Sequence, residues 1–184
     1  ENYNVGYLII IDENFGSNKK YAYQVAELFN KHNLLWACCG VRCSSVTKED
    51  LIHYKKNGCS TMTFGIESGS QTMLDIMEKK FTVEDIKKAV YTAIDIDLYT
   101  NVAGFMVGLP GETFRTARES GKLMGEMAAK FGVPPGLLYA NCDINYALPL
   151  IGTPLYEYGK QLNLIGQTVE EEEKYLEIVS NNAA

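Results

Sequence analysis

The chain has 184 residues, and its 17 Lys and Arg residues against 23 Asp and Glu residues give a formal net charge of −6 at pH 7. Hydrophobic residues make up 46% of it and charged residues 22%, a globular composition that excludes disordered, collagen-like and coiled-coil proteins. The acidic balance argues against nucleic acid or an anionic membrane as the main partner, and no apolar run approaches the roughly 20 residues that a membrane-spanning helix needs.

Apolar runs along the chain predict buried strands. Most of them lack polar alternation, which is typical of strands covered on both faces in a parallel sheet. Each interval between runs has room for one helix, so βα units in succession predict an α/β fold with a parallel sheet, either doubly wound or curved into a barrel. The runs are residues 5–11, 34–41, 61–66, 101–109 and 139–147.

The segments between the strands carry helix signals. Thr47 with Asp50, and Thr82 with Asp85, have the spacing of capping boxes, so a helix is expected to begin at each pair. The tail, residues 168–179, predicts a final amphipathic helix with an acidic first turn. The first helix is expected to have one apolar stripe, formed by Tyr21, Val25, Leu28 and Phe29.

Polar and glycine residues collect at the predicted carboxyl ends of the strands, where parallel α/β folds bind ligands. A single such end is explained by strand termination alone, because Gly, Ser, Asp and Pro stop strands. Their recurrence at successive strands favours a binding site on one rim. The ends read Asp12-Glu13-Asn14-Phe15, Arg42-Cys43-Ser44, Gly65-Ile66-Glu67-Ser68-Gly69-Ser70, Gly108-Leu109-Pro110-Gly111-Glu112-Thr113 and, from residue 149, Pro-Leu-Ile-Gly-Thr-Pro-Leu-Tyr.

These ends suit a nucleoside-like ligand. Their glycines let a flat ring or a ribose approach the backbone. Glu67 could accept hydrogen bonds from a ribose diol, Asp12 or Glu13 from an ammonium, and Arg42 could clamp a carboxylate. No glycine loop is followed by Gly-Lys-Ser/Thr, and there is no Gly-x-Gly-x-x-Gly.

Other chemistry is poorly supported. His32 and His53 lie on helix patterns away from the strand ends, which argues against Ser/His/Asp catalysis and a His-based metal site. Cys39 and Cys43 lie along a strand, so a buried structural role is favoured. We predict no metal ligand and no catalytic side chain in this chain. The five cysteines lack disulfide-framework spacing, which favours a reducing cytoplasm.

The strand-end motifs given above, from Asp12-Glu13-Asn14-Phe15 to the Pro-Leu-Ile-Gly-Thr-Pro-Leu-Tyr segment, occur in an order that resembles radical S-adenosylmethionine (SAM) enzymes. The resemblance covers residues from about 5 to 160. The likeness is to the branch often carrying an N-terminal cobalamin-binding domain, typified by the anaerobic magnesium-protoporphyrin IX monomethyl ester cyclases. The resemblance implies a partial (β/α)6 TIM-like barrel with parallel strands, of which this chain would hold strands two to six. It divides the chain into a barrel portion, 1–165, and a C-terminal helix leading out of it, 166–184.

The resemblance also implies a SAM site. Asp12 and Glu13 stand where the methionyl amine is received, and Glu67 stands where the ribose or methionyl group is contacted. Lys79 and Lys80 fall where some members place a basic SAM contact, although solvated charges at a helix end explain them equally well. The expected cofactor-binding residues are Asp12, Glu13, Arg42, Gly65, Glu67, Ser68, Gly104, Met106 and Gly108, of which the last three would line the adenine.

The chain departs from the family at the Cys-x3-Cys-x2-Cys loop, which belongs after the first strand and is absent here. The chain also lacks an initiator Met and opens just before a strand, so we expect it to be a piece of a longer enzyme. The ligands of the [4Fe–4S] cluster would then lie outside this chain, as would a cobalamin-binding domain upstream. The piece alone is predicted to be inactive.

The implied activity is reductive cleavage of SAM to a 5′-deoxyadenosyl radical that abstracts hydrogen from a substrate. We expect methylation or oxidative cyclisation of a small molecule such as a tetrapyrrole, with an electron donor such as ferredoxin or flavodoxin. One alternative is a methylthiotransferase acting on tRNA or protein, but the acidic tail does not begin the usual basic RNA-binding module. Another is a cluster-less barrel that serves as a binding module.

Overall fold

The computed structural model describes residues 4–12, 14–100, 104–134, 137 and 142–182. Strands and helices follow one another as the apolar runs predict, except that the interval between the third and fourth strands holds two helices instead of one. The strands are β1 (Tyr7–Ile11), β2 (Leu35–Arg42), β3 (Cys59–Gly65), β4 (Phe105–Val107) and β5 (Ile144–Tyr146). The helices are α1 (Lys19–Lys31), α2 (Lys48–Lys56), α3 (Gln71–Ile76), α4 (Val83–Asp95), α5 (Phe114–Phe131), α6 (Pro154–Gln161) and α7 (Val169–Asn182), and a 3₁₀ turn covers Cys43–Ser45.

Strands β1, β2 and β3 form a parallel sheet in that order. Ile11 pairs with Cys39, and Arg42 pairs with Gly65, so the carboxyl ends of the strands meet at one edge. Strand β4 pairs with β5, and a parallel bridge from Glu67 to Phe105 joins β4 to the end of β3. The predicted α/β fold with parallel strands is therefore confirmed.

The last two strands are shorter than predicted. Of the predicted runs 101–109 and 139–147, residues 101–103 and 139–141 lie outside the described residues. The expectation that the strands are covered on both faces is wrong for β5, because Ile144 and Tyr146 are exposed. It is also wrong for β1, where Tyr7, Ile9 and Ile11 are exposed. An apolar run alone cannot show whether a second layer covers it.

The helix ends follow local chemistry. The Thr47 hydroxyl accepts from the Asp50 amide, and the Asp50 carboxylate accepts from the Thr47 amide at 2.8 Å. Thr82 and Asp85 form the same reciprocal pair at the start of α4. Both predicted capping boxes are thus confirmed.

The buried face of α1 differs from the predicted stripe. Ala22 and Ala26 are the buried residues of this helix, whereas Tyr21 is 59% exposed and Leu28 is 51% exposed. Small side chains let a helix lie close to the sheet, and larger ones are then left at the margins. The core beneath contains Trp36, among other buried residues of β2 and β3.

The chain packs as two compact units, Glu1–Asn145 and Tyr146–Ala184. The second contains α6 and α7, which are joined by a hydrogen bond from the Tyr156 hydroxyl to Glu172 at 2.8 Å. The predicted division into 1–165 and 166–184 stays a prediction. Within the described ranges, no helix is both long and apolar enough to cross a membrane.

Candidate functional site

Glu67 lies at the apex of a strained turn beyond the end of β3. Its φ is +63°, a left-handed backbone angle that residues other than glycine rarely adopt. The Ser68 amide donates to the Ile66 carbonyl oxygen at 2.7 Å, which closes a three-residue turn around Glu67. A γ-turn with positive φ is rare, and such strain persists only where the surroundings enforce it.

The backbone of Glu67 is held on its other side by the chain before and within β4. Its amide donates to the Gly104 carbonyl oxygen at 2.6 Å, and its carbonyl oxygen accepts from the Met106 amide at 2.7 Å. Gly104 has a φ of +86°, and a Cβ added there would come within 3.3 Å of the Phe64 carbonyl oxygen. Two of the predicted adenine-lining residues are therefore bonded directly to Glu67.

The Glu67 side chain lines a cleft of about 330 Å³ at the edge where β2 and β3 end. Lys79, in the segment after α3, places its Nζ 2.9 Å from Glu67 Oε1, and both side chains are partly buried. The volume lies in the range of small-molecule sites. The residues lining the cleft are Gly40, Arg42, Gly65, Glu67, Glu78, Lys79 and Phe81.

Arg42 lies in this cleft but is engaged by the protein itself. Its guanidinium donates to the Lys79 carbonyl oxygen and lies 6.0 Å from the centre of the Phe81 ring. The residues on either side of Lys79, Glu78 and Lys80, both have left-handed φ values. The guanidinium thus secures a sharply folded segment, and its predicted contact with a ligand carboxylate stays a prediction.

Ser68 turns away from the cleft. It is 4% exposed, and its Oγ lies 3.0 Å from Ser120 Oγ on α5. Ser70 likewise directs its hydroxyl to the Glu119 carboxylate on α5. The sequence marks the Glu-Ser-Gly-Ser segment but gives no signal for its partners on α5, which lie about fifty residues further along the chain.

Four further predicted residues are not among those that line the cleft: Asp12, Gly104, Met106 and Gly108. Asp12 follows β1 and accepts a hydrogen bond from the Asn14 amide at 3.2 Å. The Gly108 amide donates to a Glu112 carboxylate oxygen at 2.8 Å, and a Cβ at Gly108 would meet nothing within 4 Å. Glu13 lies outside the described residues.

The cysteines are not arranged as metal ligands. Burial raises the pKa of Cys43 and of Cys59 to about 12, so these thiols hold their protons at neutral pH. Across the described part of the chain, no group of three or more His, Cys, Asp or Glu side chains could hold a metal ion. An iron–sulfur cluster therefore does not fit the residues described.

Comparisons with known proteins agree on one family. The family model described as Radical SAM superfamily matches residues 1–124. An uncharacterized methyltransferase of Pyrococcus horikoshii is 30% identical over 165 residues, which cover 89% of this chain and 33% of that protein. The anaerobic magnesium-protoporphyrin IX monomethyl ester cyclase of Rubrivivax gelatinosus is 30% identical over 125 residues, 66% of this chain and 22% of the cyclase.

The fold also matches a solved structure, that of OxsB, a cobalamin-dependent S-adenosylmethionine radical enzyme with aqua-cobalamin and S-adenosylmethionine bound. The TM-score is 0.62 at 13% identity, over 93% of this chain and 30% of that one. The α/β arrangement is therefore that of a partial TIM-like barrel. The chain spans about a third or less of the length of each of these proteins.

Proposed function

This chain belongs to the radical SAM superfamily, and we propose that its Glu67 cleft binds SAM in an enzyme that modifies a small molecule. The observation that carries this proposal is the Glu67–Lys79 pair, which sets a carboxylate and an ammonium 2.9 Å apart in a cleft of ligand size. SAM carries both charges in its methionyl part and a diol in its ribose. A paired acceptor and donor suit such a ligand.

The residues of the cleft would divide the recognition between them. Glu67 would accept hydrogen bonds from the ribose hydroxyls or the methionyl ammonium, and Lys79 would pair with the methionyl carboxylate. Gly65 leaves room beside Glu67, since a Cβ there would already approach Glu67 Oε1 to 3.4 Å. Gly104 and Met106 are bonded to the Glu67 backbone, which supports their assignment to the adenine. The other predicted contacts are kept as proposals, namely Asp12, Glu13, Arg42, Ser68 and Gly108.

Bound SAM would supply radical chemistry through its one-electron reductive cleavage. This chain would bind and orient SAM, and the [4Fe–4S] cluster would take its ligands from elsewhere in the protein, since no described group of side chains fits it. Ferredoxin or flavodoxin is the proposed electron donor. Cobalamin, which the OxsB structure contains, is the proposed second cofactor of the whole protein.

The proposed reaction is methylation or oxidative cyclisation of a small molecule such as a tetrapyrrole. Its support is the pair of relatives named as a methyltransferase and as a magnesium-protoporphyrin ester cyclase. The proposed compartment is the cytoplasm, which suits the free cysteines at positions 38, 39, 43, 59 and 142.

The test is the Glu67→Gln variant of the complete protein, titrated with SAM in a calorimeter. Loss of a charge-assisted hydrogen bond should weaken binding by about tenfold or more. Glu78→Gln is the matched control, because it removes the same charge from the same cleft without touching the Lys79 pair. Unchanged SAM affinity in Glu67→Gln, or an equal loss in both variants, would contradict the proposal.

A further inference from the structure

The Ser120 hydroxyl on α5 contacts the two residues that follow Glu67. Ser120 Oγ accepts a hydrogen bond from the Gly69 amide at 2.9 Å and lies 3.0 Å from Ser68 Oγ. Ser68 Oγ in turn accepts from the Ser70 amide at 3.1 Å. Ser120 is therefore the point at which α5 holds the Ser-Gly-Ser segment.

Helix α5 reaches this segment at a second point as well. Ser70 stands at the N-cap position of α3 but makes no side-chain capping bond there. It is fully buried, and its hydroxyl donates to the Glu119 carboxylate instead. At Gly69 the two backbones touch, since an added Cβ would lie 2.7 Å from Ser120 Cα. The segment is fixed from the side of α5, away from the cleft.

We propose that Ser120 is a positioning residue for Glu67. The turn at Glu67 is strained, and Ser68, which closes the turn with its amide, is the residue whose hydroxyl contacts Ser120. Ser120 is not among the residues that line the cleft. Its effect on a ligand must therefore pass through the turn. This inference rests on the proposed function, in which Glu67 contacts SAM.

A double-mutant cycle tests this dependence, with S-adenosylhomocysteine as the calorimetric probe and the complete protein throughout. Ser120→Ala should weaken binding about fivefold to tenfold in the wild-type background and less than about twofold in the Glu67→Gln background, because residues that act as a unit are not additive. Gly121→Ala is the control on the same helix, where a Cβ meets nothing within 4 Å. It should leave the affinity unchanged.

Amide hydrogen exchange supplies a readout that does not depend on the ligand. The Gly69 amide loses its acceptor in Ser120→Ala, so its exchange should be at least about tenfold faster while amides in the middle of α4 keep their rates. Equal losses of affinity from Ser120→Ala in both backgrounds, or an unchanged Gly69 exchange rate, would overturn the inference. If Glu67→Gln leaves the affinity unchanged, the proposed function fails, and the exchange rate alone decides whether Ser120 holds the turn.

Discussion

Replacement of Gly69 by alanine tests how closely α5 is packed against the end of β3. An added Cβ would lie 2.7 Å from Ser120 Cα, 2.8 Å from Leu123 Cβ and 2.9 Å from the Glu119 carbonyl oxygen. Gly69 does not have a left-handed φ, so the cost is steric and not conformational. None of the three atoms is the end of a flexible side chain, and the overlap can be relieved only by moving the helix or the turn.

Overpacking of this kind costs about 1–3 kcal/mol, and contact with atoms that cannot swing aside places Gly69→Ala near 3 kcal/mol. For a chain of this size that corresponds to a melting temperature lower by roughly 6–12 °C. Gly121→Ala, in open space on the same helix, should instead stabilise the protein by about 1 kcal/mol. Urea denaturation of both variants measures the difference. A Gly69→Ala variant within about 0.5 kcal/mol of the wild type would refute the packing argument.

Two further predictions concern buried polar groups. Burial alone would raise the pKa of Asp50, but hydrogen bonds from Lys19, Thr47 and Tyr23 outweigh it and hold that pKa below its ordinary value of 3.8. The carboxylate therefore stabilises the fold above about pH 4 and loses this effect as the pH falls through the folded-state pKa. Urea titrations should show that Asp50→Asn is less stable than the wild type by roughly 1–3 kcal/mol at pH 7, and that this difference in stability disappears in acid. The Tyr54 hydroxyl is buried without a hydrogen-bond partner among the described residues, so Tyr54→Phe should be neutral or stabilising by up to about 1 kcal/mol. A loss of stability above about 1 kcal/mol in the same titration would show that the hydroxyl has a partner.

The features that could be predicted from the sequence are those set by near neighbours. The capping box of Thr47 joins residues three positions apart, and the succession of strands and helices follows from the chain alone, apart from the second helix between β3 and β4. The buried face of α1 was mispredicted because hydrophobic spacing selects large side chains such as Tyr21. The residues that α1 buries are instead Ala22 and Ala26, because the helix lies close to the sheet. How close a helix lies to a sheet depends on tertiary packing and not on the helix sequence alone.

The candidate site shows the same limit. The order of the motifs marks Glu67 as a residue of interest, and the structure places it in a cleft. The engagement of Arg42 with a backbone carbonyl joins residues 37 positions apart, and the contact between Ser68 and Ser120 joins residues 52 positions apart. Neither pairing leaves a local pattern, because each depends on how a later segment folds back onto a strand end.

At Glu67, between β3 and β4, the backbone has a structural role and the side chain has a separate role in the cleft. Glu67 joins the strands through its amide and carbonyl oxygen, whereas only its side chain faces the cleft. A substitution at position 67 could therefore change the side chain in the cleft and keep the backbone hydrogen bonds that join the strands. The left-handed φ limits which residue types position 67 tolerates, since Gly, Asn and Asp adopt this φ readily and β-branched residues do not. A library of variants for changing the specificity of this cleft would accordingly sample unbranched polar residues at position 67 and leave Val, Ile and Thr out.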